Sequence, residues 1–234
     1  MFQRRPKRVD VPRFRQRERA TEQVNRVDLA ELTPELLPYL GQAAYAQLAV
    51  FETLSRAVSL APTAASKEAI SRVAALSLAR HHGLAAEIRR KGQEPGAVMA
   101  PFASTIDDYA RDTLGADWYE TLVTCYVTSG LLNDFQRQLA AGLAGDVSTR
   151  VTQLLSGDDG HGFIVSELRA AIDANPRLAS RLAMWGRRLV GDTLLIARSS
   201  LKNATRQNDE RLEPVFTELI AAHTRRMDVL GLTA

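Results

Sequence analysis

A single cysteine, Cys125, in 234 residues excludes an internal disulfide framework and a zinc-type cysteine cluster. It lies among apolar residues and reads as a buried, inert thiol rather than a nucleophile. No apolar run approaches the ~18 residues of a membrane span. The chain opens on Met1-Phe2-Gln3-Arg4-Arg5-Pro6-Lys7-Arg8, which is too polar for a secretory leader. These absences predict a cytoplasmic protein with no membrane partner. There is no alternating β-branched run and no Asn-Gly hairpin signal, so a sheet is not expected. Phosphate-loop and Ser-His-Asp patterns are also missing, as is a basic motif interleaved with base-stacking aromatics.

Charge is present but unevenly placed. Residues 1–28 carry nine Arg or Lys and four acids, a balance of +5, against +3 for the whole chain. The body, residues 29–234, therefore sits near −2. A basic segment with little apolar surface is expected to stay disordered and solvated, with weak contact to RNA or another acidic surface as its available function. The expected organisation is a basic tail at 1–28 and one helical domain at 29–234.

Helical periodicity runs through almost all of that body. The first helix is expected from about Pro38 to Ser59, after the start signal Thr33-Pro34-Glu35, with Gly41, Tyr45, Leu48, Glu52 and Ser55 inward. The second starts near Ser66 and stops at Lys91-Gly92, with Ile70, Val73, Ser77, Arg80 or His81, Leu84 and Ile88 in line. A long link, about 93–116, should hold one short helix from Ser104. A third helix follows from about Asp117 to Ala144, carrying Glu120, Val123, Val127 and Leu131 on one face. The fourth, Asp146 to Ile172, aligns Val151, Leu154, Asp158, His161, Val165 and Leu168. Asn175-Pro176 opens a fifth helix to about Asn203, and a sixth runs from Pro214 to about Leu230. Two short-linked pairs joined by a long connection predict an all-α, ferritin-like four-helix bundle with one long crossover plus two additional C-terminal helices.

The inward polar residues suggest metal chemistry. A diiron site in such a bundle takes one Glu from each of two helices and a Glu-x-x-His from each of the other two. Positions i and i+3 share a helix face, and iron favours carboxylate oxygens with some imidazole. Glu52, Glu120 and the pair Asp158-x-x-His161 are candidates for metal ligands, with Asp158 one methylene short. Each has a plainer reading. Glu120 follows Asp117 by three residues, the spacing of a capping acid. Asp158 suits a bent, solvated turn, since Gly157, Gly160 and Gly162 weaken a helix there. A lone His161 is commonly a hydrogen-bonded core residue. Glu52, between Phe51 and Leu54 on an otherwise apolar helix, is the hardest to read as anything but paired or metal-bound.

These residues sit within a wider set of short motifs: Gly41-Gln-Ala-Ala-Tyr45 with Phe51-Glu52, Ala61-Pro62-Thr63, Met99-Ala-Pro101, Asp117-Trp118-Tyr-Glu120, Gly160-His161, Leu182-Ala-Met-Trp185-Gly-Arg-Arg188 and His223-Thr-Arg-Arg-Met227 followed by Leu230-Gly-Leu232. Over residues 35–232 the chain resembles actinobacterial ferritin-like proteins similar to the bacterial tRNA hydroxylase of 2-methylthio-isopentenyladenosine (MiaE-like). The resemblance implies a diiron-carboxylate fold whose activated oxygen hydroxylates a substrate. It also exposes a departure, because the second helix has Ser77 and Arg80 where the family pattern has Glu and His. Arg has no lone pair to donate and Ser is a weak neutral ligand. His81 is the possible replacement ligand, although it points about 100° away from position 80.

The expectation is therefore an incomplete diiron site, with Arg80 pairing with Glu52, Glu120 or Asp158 in place of metal. A complete diiron centre is not expected; the cofactor is none or one divalent iron. The leading function is a non-catalytic binding or scaffold role with an unknown protein partner or a homodimer. The alternative is an iron-dependent oxidase or hydroxylase with one metal or a rearranged pair on Glu52, Glu120, Asp158 and His161, and with Tyr45 or Tyr126 lining its pocket. Trp185 and His223, with their neighbouring arginines, read as packing at helix interfaces.

Overall fold

The computed structural model of the chain describes residues 32–199, 201 and 209–234, so the basic segment 1–28 lies outside the described residues. Among those residues the chain forms eight helices and no strand: α1 Leu36–Leu60, α2 Ala64–Arg90, α3 Pro95–Asp112, α4 Trp118–Ala140, α5 Asp146–Leu155, α6 His161–Ala174, α7 Pro176–Ser199 and α8 Asp209–Val229.

Residues 61–63 join α1 to α2, a link short enough to make them antiparallel neighbours, and these two helices form the most extensive pair in the molecule. Thr63 starts α2 by accepting the Ser66 N–H at 3.0 Å. Gly92, at φ 72°, stops it: the Gly92 N–H reaches Arg89 O at 2.9 Å and the Gln93 N–H reaches Ile88 O at 3.3 Å. The inward stripe of α2 is the one the sequence predicts, with Ile70, Val73, Ser77, Arg80, Leu84 and Ile88 all buried.

The stripe of α1 differs from expectation. Leu40, Ala43, Ala44, Gln47, Leu54 and Ala57 are buried, whereas Glu52 is exposed. At 100° per residue, Glu52 stands about 160° around the helix from Leu54, so burying the Leu54 row turns the carboxylate to water.

The crossover holds more helix than predicted. Rather than a short helix from Ser104, α3 begins with Pro95 in its first turn and runs 18 residues through Pro101. It lies along α1, where Gly41 permits the approach: a Cβ there would stand 2.4 Å from the Val98 carbonyl oxygen.

α4 is the central helix. It touches α1, α5, α6, α7 and α8 and buries Leu122, Val127, Leu131 and Phe135. Each of these side chains contributes about 1.5–3 kcal/mol by leaving water. The bundle is α1, α2, α4 and the α5–α6 pair. The two additional C-terminal helices, α7 and α8, pack on α4.

The expected continuous fourth helix is two helices. α5 stops at Leu155 and α6 starts at His161, with Gly160 between them at φ 69° in the left-handed region. A Cβ on Gly160 would lie 3.0 Å from Val73 and 3.1 Å from Leu76, so the break also lets the chain run close to α2.

Glu87 links α2 to α5. Its carboxylate accepts from Arg150 Nε and Nη2, both at 2.9 Å, and also pairs with Arg90. The Arg150 hydrogen bonds hold its pKa below the ordinary glutamate value, against the opposing effect of burial and with help from Arg90. A depressed folded pKa contributes stability that is present above the unfolded value and lost as pH falls through the folded one. Arg150→Ala should therefore raise the Glu87 pKa and move the acid limb of the melting-temperature profile to higher pH. An unmoved acid limb would show that Glu87 does not contribute there.

Candidate functional site

The predicted ligand corner is built from α2, α4 and the break between α5 and α6. Arg80 is the centre of it. Its side chain is buried, with the residue only 8% exposed, and Nη2 donates to the Gly157 carbonyl at 2.7 Å. Burial pulls the guanidinium below its ordinary pKa, while Asp159 and then Asp158 oppose the shift. Arg80 thus turns inward as expected, but its direct partner is a loop carbonyl, and the nearest charges come from the Asp158-Asp159 loop rather than from Glu52 or Glu120. Ser77 is buried on the same face of α2.

Asp158 and His161 do not share a helix face. Asp158 is exposed in the loop and accepts the Gly160 N–H at 2.9 Å; Asp159 accepts the His161 N–H at 2.9 Å. Such short-range side-chain bonds compete with helix, and two acids followed by Gly160 favour the loop. The second Asp159 oxygen holds His161 Nδ1 at 2.9 Å. Burial raises the Asp159 pKa, but the hydrogen bonds and charge of His161, with Arg80 nearby, outweigh it and leave the group at about 2. Asp159 is therefore a carboxylate at neutral pH.

On its other side His161 Nε2 lies 3.0 Å from Ser129 Oγ on α4, and Tyr126 meets the imidazole edge-on at 5.1 Å. Ser129, His161 and Asp159 therefore form a hydrogen-bonded chain that sequence order gave no sign of. The Ser129 hydroxyl also reaches the Cys125 carbonyl one turn back on α4, so it is shared between that backbone acceptor and His161 Nε2. The relay pins the start of α6 to α4. Ser129 could have been noticed as a polar residue in an apolar stretch, and Asp159 as an acid two residues before a helix start.

The remaining candidates lie elsewhere. Glu120 is buried at the start of α4, where it makes the capping arrangement: Asp117 accepts the Glu120 N–H at 2.9 Å and Glu120 Oε2 accepts the Ala116 N–H at 2.9 Å. Arg181 of α7 adds an ion pair at 3.3 Å. Glu52 is exposed on α1. His81 Nδ1 lies 2.9 Å from the Ala44 carbonyl, tied to α1 rather than to the corner. Tyr45 donates to Asp107 at 2.9 Å. Trp185 and His223 are packing residues: Trp185 Nε1 donates to Thr124 Oγ1 at 2.9 Å, and His223 is buried. Cys125 is buried too, its thiol pushed up to about 12 and held neutral by burial.

A diiron centre needs carboxylates and imidazoles converging on one point. Among the described residues no three His, Cys, Asp or Glu side chains come together closely enough to hold a metal ion. Glu52 is exposed, Glu120 caps α4, Asp158 closes a turn of the loop and His161 bonds Asp159 and Ser129, so the residues present do not converge as the group requires.

An all-helical bundle with one long crossover and two helices added on its central member defines a ferritin-like protein. The ferritin-like domain of actinomycetes matches residues 33–207, and the chain belongs to that family. No curated protein matches the chain. Among the described residues no helix is long and apolar enough to cross a membrane.

Proposed function

We propose that this chain is a ferritin-like bundle that works by binding, not by oxygen chemistry at a diiron centre. The observation that carries this reading is Arg80, a buried fixed cation bonded to Gly157 on the face where the resembled tRNA hydroxylase-like pattern has a histidine ligand. A guanidinium cannot donate a lone pair to iron, and its charge repels a divalent ion. The charged groups of the corner are instead directed at one another, with Asp159 facing both Arg80 and His161. In this reading the family's oxygen-activating role is lost, the bundle serves as a scaffold, and any RNA contact falls to residues 1–28.

The test is iron content. Untagged protein is expressed with iron, then stripped and reconstituted, and measured by elemental analysis alongside Fe(II)-dependent oxygen uptake. The expected result is no stoichiometric iron and no uptake above the protein-free rate. About two irons per chain would overturn the reading. About one, with oxygen uptake, would favour the single-metal oxidase or hydroxylase.

A further inference from the structure

A cavity of about 40 Å³ lies between α1, α3, α4 and α7, and none of the residues of the Arg80 corner lines it. Its walls are mainly Ala46, Ala49, Val50, Ile106, Leu132 and Phe135. It adjoins two outer cavities of about 110 and 290 Å³, which share lining residues with it. Gln42, Ile106 and Ile196 line both the inner and middle spaces, and Gln42, Phe102 and Ser199 line both the middle and outer ones. The outermost reaches Pro34, Pro38 and Leu201.

The hydroxyl groups along the inner cavity are committed. Thr53 donates to Ala49 O, Thr113 to Tyr109 O, Thr124 to Thr113 O and Thr128 to Thr124 O, and the Tyr109 hydroxyl bonds Thr193. Two side-chain amides, Gln42 and Gln136, also line it, and Gln136 is the buried one. Gln136 is 7% exposed, and its side-chain oxygen has no hydrogen-bond partner. A buried acceptor left without a donor is uncommon and costly. Among the described residues no charged side chain lines the inner or middle cavity, and Glu35 is the one charge at the outer one. A charged ligand group would be desolvated there without compensation.

We infer that this passage is a binding site for an elongated, uncharged, mostly apolar small molecule whose leading hydroxyl or amide N–H donates to Gln136. The walls supply apolar contact and the amide oxygen supplies orientation, the usual division of labour in a ligand pocket. The inner space, at ~10–15 Å³ for each water-sized group, takes only a short polar head, and the body of the ligand lies in the outer trough. The site deepens the binding reading by naming its ligand class, and it is independent of the iron test: iron could be absent with the passage empty, or present with the passage filled.

The experiment titrates the full chain with 1-hexanol and, separately, with methyl pentyl ether, a chain of similar length without the donor, followed by ligand-observed NMR and thermal shift. The expected result is saturable binding of the alcohol, about fivefold to tenfold tighter than the ether, the range one net hydrogen bond gives. Gln136→Met should erase that preference while leaving the ether unchanged. Ala49→Leu, which fills the wall, should abolish both. Ala46→Leu serves as the second blocking variant if Ala49→Leu does not fold. Equal affinities for alcohol and ether in the native chain would overturn the proposal. So would binding that survives both blocking variants, or no binding of either compound, which would mean that water alone meets Gln136.

Discussion

Arg80→Ala should lower the melting temperature by about 8 °C, a loss of about 3 kcal/mol for a chain of this size. Two effects add. The Gly157 carbonyl loses a charge-assisted hydrogen bond made by a buried guanidinium, a bond of a kind worth about 1.5–3 kcal/mol. Asp159, which is held ionised partly by Arg80, is left nearer to an uncompensated charge. The long side chain also leaves unfilled space on the inward face of α2. Arg80→Lys should recover only part of the loss, since an ammonium keeps the charge but not the planar fork. Chemical denaturation of the three proteins checks this. A loss below about 0.5 kcal/mol for Arg80→Ala, the range of an ordinary surface substitution, would show that the guanidinium is not holding the corner.

Gly41→Ala should cost about 2–3 kcal/mol, a large effect for one methyl group. The new Cβ would meet the Val98 carbonyl oxygen at 2.4 Å and the Val98 carbonyl carbon at 3.0 Å. Both are backbone atoms, so no rotamer change relieves the clash and α3 must move away from α1. Such a shift would also widen the passage between those helices, so the variant should bind 1-hexanol differently as well as melt earlier. Gly162→Ala is the control. A Cβ there meets nothing within 4 Å, and alanine is the better helix former by about 1 kcal/mol. It should therefore be neutral or slightly stabilising. Equal melting temperatures for the Gly41 and Gly162 variants would contradict the close α1–α3 approach.

Sequence periodicity was most reliable where one face alone is buried. On α2 the row Ile70, Val73, Ser77, Arg80, Leu84 and Ile88 is both the pattern and the buried face, and Gly92 marks its end. It failed where local chemistry competes with the pattern. Asp158 and His161 stand at helical spacing, yet aspartate side chains bonding to nearby N–H groups, together with Gly160 in the left-handed region, make a loop there. Glu52 failed for another reason. With apolar residues on both sides, α1 could be rotated either way on sequence alone, and tertiary packing chose the Leu40, Gln47 and Leu54 row. The capping role of Glu120 was legible from its spacing to Asp117. The Ser129–His161–Asp159 chain was not, because Ser129 and His161 meet only through the fold.

In the proposed reading a cation from α2, answered by the acids of the α5–α6 loop, stands where the resembled pattern places a ligand. A double-mutant cycle on Arg80→Ala and Asp159→Asn tests it most directly, read by chemical denaturation at low and moderate salt. The predicted result is a coupling of about 1 kcal/mol or more that weakens only modestly with salt, as for a partly buried pair. Additive losses, with coupling under about 0.3 kcal/mol, would contradict it and leave Arg80 as a side chain that merely fills space.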